Sequence, residues 1–75
     1  MNANKTNNFP KDIKDKQDRV FDLAQQIKFY DNMISQAKGV TRGRLIDAQR
    51  ETVKLHKRLL TQLTRRVNRW MRTGK

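Results

Sequence analysis

From Ile13 onward the apolar residues of this chain return every seven positions. Ile13, Val20, Ile27 and Ile34 form one row. Three places on from each stand Lys16, Leu23, Tyr30 and Ala37. Rows spaced in this way are the a and d positions of a heptad, the seam along which helices pack. The a row is wholly β-branched and no Pro or Gly breaks it, so the pattern predicts a helix over residues 10–38. Pro10 suits a first helical turn, where its missing N–H costs nothing. Asn8 or Phe9 would cap it, and Asn8 is the better cap chemically. Residues 1–9, MNANKTNNF, show no apolar period and read as a flexible Asn-rich arm.

The same beat resumes after a break. Ile46, Val53, Leu60 and Val67 make a second a row, and Gln49, His56, Leu63 and Trp70 make its d row. Leu45 and Leu59 widen the stripe at g. Gly39 is suited to the left-handed conformation that ends a helix, and Thr41 is the natural N-cap of the next. Gly43 weakens that start. The pattern therefore predicts a turn over residues 39–43 and a second helix over about 44–73, with Gly74 as its stop.

Two long helices joined by a short turn fold back antiparallel. The expected class is all-α, a helical hairpin. In antiparallel packing an a residue faces a d residue. Pairs whose residue numbers add to 83 give eight layers, from Ile13–Trp70 through Leu23–Leu60 to Ala37–Ile46, and they centre the turn between Thr41 and Arg42. The same register sets Asp31 beside Arg50 across the seam and puts Arg19 and Arg66 on one flank.

Phe21 and Phe29 fall outside this seam, at b and c, with Met33 and Met71 flanking it at g and e. A two-helix hairpin cannot cover all of them, and one of this size buries little core. Phe21, Phe29 and Met33 are therefore read as an association surface. It would complete a bundle with a second copy, as a homodimer, or with another protein.

Charge adds a second asymmetry. The chain of 75 residues carries 18 Lys and Arg against 7 Asp and Glu, a formal charge of +11. Residues 10–38 are nearly balanced, whereas no acid follows Glu51 and eight basic residues do. On helix 2 the f row, opposite the seam, reads Arg44, Glu51, Arg58, Arg65 and Arg72. Lys54 and Lys75 lie at b, Lys57 at e, Arg69 at c and Arg66 at g. Cations in a last helical turn complement its dipole, which accounts for Arg69 and Arg72 alone. A self-repelling cationic back of this length points to a polyanion, and nucleic acid is the commonest. Arg forks match phosphate geometry, and only Gln62 and Asn68 near this face could read base edges. Backbone contacts with weak sequence preference are expected, to DNA or RNA.

Chemistry beyond binding is not expected. With no Cys there is no thiolate zinc site, disulfide or thiol nucleophile. His56 is a polar seam residue, since Gln49 and Tyr30 do not complete a metal site with it. Together with Gln49 and Lys16 it reads as a setter of register or oligomer state. Asp47 and Glu51, one turn apart, read as partners for nearby cations and not as a catalytic pair. Trp70 reads as a plug at the end of the core. No apolar run reaches the ~18 residues of a membrane span, and the start of the chain lacks the apolar core of a signal peptide.

The expectation is a non-enzymatic accessory protein of phage, plasmid or ribonucleoprotein type, without cofactor, small-molecule substrate or membrane partner. It would be cytoplasmic, nucleic-acid-associated or packaged in a virion. The alternative is a structural adaptor, docked into a virion or polymerase complex through its aromatic flank and basic face.

Overall fold

A computed structural model describes residues 9–74 as two helices packed side by side. The first, α1, is Lys11–Gln36, and the second, α2, is Gly39–Thr73. Most of the expected arm, the Asn8 cap and Lys75 lie outside the described residues. The molecule measures 51 × 21 × 14 Å. A helix with its side chains is about 10–12 Å across, so the hairpin is one helix thick, with no second layer among the described residues.

α1 begins at Pro10, whose carbonyl accepts from the amides of Ile13 and Lys14 at 3.0 and 3.1 Å. Neither N-cap residue, Pro10 for α1 or Lys38 for α2, makes a side-chain capping hydrogen bond. At the far end of α2, Gly74 takes the left-handed conformation (φ 73°), and its amide donates to the Trp70 carbonyl at 2.7 Å. This is the stop the sequence predicts.

The turn is tighter and earlier than expected. Ala37 and Lys38 are both extended, and Gly39 is left-handed at φ 65°. Gly39 thus has the expected backbone conformation, but it opens α2 where it was expected to close α1. Thr41 and Gly43 lie inside the helix, so Thr41 is not its cap. A helical Gly costs about 1 kcal/mol relative to Ala, which is too little to delay a helix of this length.

The early turn changes the register. The ring contact and the side-chain hydrogen bonds between the helices all join residues whose numbers add to less than 83. Phe9 meets Trp70 with ring centroids 4.9 Å apart, edge to face at 82°. Asp12 Oδ2 accepts from Arg66 Nε at 2.8 Å and Asp12 Oδ1 from its Nη2 at 3.3 Å. Gln49 Nε2 donates to the Ile27 carbonyl at 3.1 Å and to Asp31 Oδ1 at 2.6 Å. These pairs add to 79, 78, 76 and 80, on average about one helical turn short of the expected register, a slide of about 6–8 Å. The expected Ile13–Trp70 layer is replaced by Phe9–Trp70. Asp31 meets Gln49 and not Arg50. Arg66 is drawn onto Asp12 and is not left beside Arg19.

The slide also changes which rows border the seam. The a and d rows of α1 keep the seam: Ile13 is fully buried, Leu23 is 3% exposed, and Val20, Ile27, Tyr30 and Ile34 are half-buried. On α2 the d row keeps it too, flanked on one side by g (Leu45, Thr52, Leu59, Arg66), all half-buried, and on the other by a, where Ile46, Val53 and Val67 are half-buried and only Leu60 is exposed. Leu60, expected opposite Leu23, is 44% exposed. Apolarity alone favours the a row. The g row is favoured by the two polar cross-links, by the early turn and by the extra aromatic layer that Phe9 adds at the open end.

Candidate nucleic-acid interface

The rotation of α2 decides where each cation points. Gln49 reaches α1 on the side of Asp31, and Arg66 reaches it on the side of Asp12, so these two contacts mark the two flanks of the hairpin. Arg69 lies one turn beyond Arg66 on the Asp12 side. Arg58, Arg65 and Arg72, a row of their own, stand further out on that side. All four are exposed. Each seven-residue step along the row advances about 10.5 Å, so 58 to 72 spans about 21 Å. Arg44 lies on the same row nearer the turn and is also exposed, but the exposed Glu51 separates it from Arg58.

The remaining expected site residues separate from this flank. Lys54 is exposed on the outer back of α2 and pairs with Glu51 at 3.5 Å, both side chains well solvated, an ion pair of small value. Lys57 is exposed on the opposite, Asp31 side. Arg66 is turned inward: its side chain is 15% exposed and bound by both its Nε and Nη2 to Asp12. Its guanidinium ties the open end of the hairpin together. The hydrogen bond from Arg66, reinforced by its charge, holds the Asp12 carboxyl below the usual aspartate value of 3.8.

Arg19 belongs with the exposed row. It lies on the Asp12 side of α1, is exposed, and in the observed register sits level with residues 58–62 of α2. The sequence carried the signal, since Arg19 falls on the heptad flank position g. Its inclusion required the correct register. The cationic flank is therefore Arg19, Arg58, Arg65, Arg69 and Arg72, with the exposed amide of Gln62 among them and the exposed carboxylates of Asp15 and Asp22 on its α1 edge. It has the chemistry to hold phosphates, several charge-assisted forks in a row, and little to read bases.

The expected association surface is divided. Phe21 is 63% and Phe29 62% exposed, while Met33 is half-buried. Eight residues separate the two rings, about 12 Å along α1 and about 80° around it. Phe21 stands at the Asp31 side of the outer surface of α1, and Phe29 and Met33 stand at the Asp12 side. Trp70, packed on Phe9 and half-buried, closes the core at the open end. His56 is half-buried in the d row. Among the described residues no cluster of His, Cys, Asp or Glu is placed to hold a metal, and no helix is long and apolar enough to cross a membrane. The chain matches no family model, no curated protein and no solved structure.

Proposed function

We propose that the protein is a non-enzymatic nucleic-acid-binding accessory protein that grips the phosphate backbone of DNA or RNA. The observation that carries this reading is the exposed row Arg58, Arg65 and Arg72 with Arg69 beside it, on a stretch with no acid after Glu51. An isolated fold gains nothing from such a row, because the charges repel one another. A polyanion converts that repulsion into binding free energy through counterion release. A role beside nucleic acid in a cytoplasm or inside a virion, of phage, plasmid or ribonucleoprotein type, suits a chain of this size and charge. Protein purified at low salt should carry nucleic acid, seen as a raised 260/280 nm absorbance ratio that falls after a high-salt wash. A ratio typical of bare protein at both salts would contradict the reading.

The thin single layer and the exposure of Phe21 and Phe29 support a second part of the proposal, that the hairpin is completed into a bundle by a further protein surface. The same observation favours the alternative role of an adaptor within a larger assembly, such as a virion or polymerase complex.

A further inference from the structure

The flank away from the arginine row has a different composition. On α2, Val53, Leu60 and Val67 follow Gln49 outward on the Asp31 side. On α1, Phe21 and the small, half-buried Ala24 lie level with them in the observed register. Leu60, which the one-turn slide leaves uncovered, is 44% exposed, and Phe21, outside the seam in either register, is 63% exposed. The groove between two packed helices is helix-shaped, and Ala24 leaves its α1 wall low between Phe21 and Lys28. From Val53 to Val67 the apolar row runs about 21 Å, four turns of helix.

Cations line both rims of this groove. Lys28 stands on the α1 rim, and Arg50 and Lys57 stand on the α2 rim, with Lys28 and Arg50 nearly level across the groove. All three are exposed. The one acid on this flank, Asp31, already accepts from Gln49. A second copy would bring the same cations against these, so the rims disfavour self-pairing here. A lipid surface would strand the polar Gln17 and Asp31 of the same flank in an apolar phase.

We infer that this flank is a docking groove for an acidic amphipathic helix of another protein. The partner's apolar face seats on Ala24, Val53, Leu60 and Val67. Its carboxylates meet Lys28, Arg50 and Lys57. The site uses the flank opposite the arginine row, so it stands or falls independently of nucleic-acid binding, and the two together make the hairpin a bridge between a polyanion and a protein.

The test uses the full chain and a dye-labelled synthetic helix of about 20 residues, with Leu at helical spacing on one face and Glu on both borders, followed by fluorescence anisotropy. A second peptide carries Lys in place of each Glu. The Glu peptide should bind and the Lys peptide should not. Arg50→Glu with Lys57→Glu should weaken the Glu peptide at least about tenfold and create binding of the Lys peptide. Leu60→Gln, at an exposed position that spares the fold, should weaken the Glu peptide about fivefold or more. Arg58→Gln with Arg65→Gln should leave it unchanged. Circular dichroism of each variant should match the parent.

Equal weakening by the Arg58/Arg65 pair would reduce the effect to general charge attraction and overturn the proposal. So would a dimer in sedimentation that Leu60→Gln dissociates. Binding to vesicles of mixed neutral and anionic phospholipid that requires Leu60, with no binding of the Glu peptide, would assign the flank to a membrane surface instead.

Discussion

At the scale of single residues, Asp12 and Arg66 set the geometry of the open end. Their pairing takes one arginine out of the cationic set and fixes which way the others face. Arg66 lowers the affinity of the Asp12 carboxylate for protons. A group whose folded pKa lies below its unfolded value contributes stability above the unfolded pKa and loses it as pH falls through the folded one. The contribution is thus complete above about pH 4 and fades below it. Because Asp12 is solvated, the effect is confined to the open end, where Trp70 reports it. Trp70 fluorescence should change on acidification below pH 4 in the native chain. In Asp12→Asn that acid-dependent step should be absent. A step of the same size in the variant would show that other carboxylates control this end.

Gln49 acts in the same way nearer the turn. Its amide spans the seam to a backbone carbonyl and to Asp31, the register-setting role that a polar seam residue can take at some cost in stability.

At the scale of elements, the heptad rows made both helices and their antiparallel packing readable from sequence, because burial requires an apolar stripe and the stripe is plainly there. The rotation of α2 was not readable in the same way. Its stripe is three rows wide, and counting apolar residues favours Leu60 over Leu59. The turn decides the matter, through two extended residues and a left-handed Gly39 that a reading of Gly as helix terminator placed on the wrong helix. For the candidate site the consequence is direct: a row of arginines is legible from spacing, but which of its neighbours join it, Arg19 and not Arg66, depends on the slide.

Two pairs of substitutions test this level. Leu23→Ala, at a buried position, should cost about 2–4 kcal/mol in chemical denaturation. Leu60→Ala, at an exposed one, should cost under about 1 kcal/mol. Equal losses would restore the register in which the two face each other. Gly39→Ala should destabilise by about 1–2 kcal/mol, since its φ of 65° is left-handed. Gly43→Ala should stabilise by about 0.5–1 kcal/mol, because the site is helical and a Cβ there meets nothing within 4 Å. Effects of the same sign would place both glycines in one turn.

At the scale of the whole molecule, the hairpin is a thin rod with one arginine-rich flank and one apolar flank rimmed by lysine and arginine. Among the described residues two buried apolar side chains, Ile13 and Leu23, are a small core for its length, so stability and function both depend on what the flanks meet. The central claim is that the arginine flank neutralises phosphates. Its most direct test is affinity for a B-DNA duplex measured from 50 to 200 mM salt, for the native chain and for Arg58→Gln/Arg65→Gln/Arg72→Gln. Each phosphate contact contributes about −0.9 to the slope of log K against log salt. Four or five contacts give a native slope of about −4, and the triple variant should be flatter by about two to three units while remaining helical. A second, unrelated duplex should return the same slopes. Binding that ignores salt, a slope the triple variant leaves unchanged, or no binding at 50 mM would contradict the account.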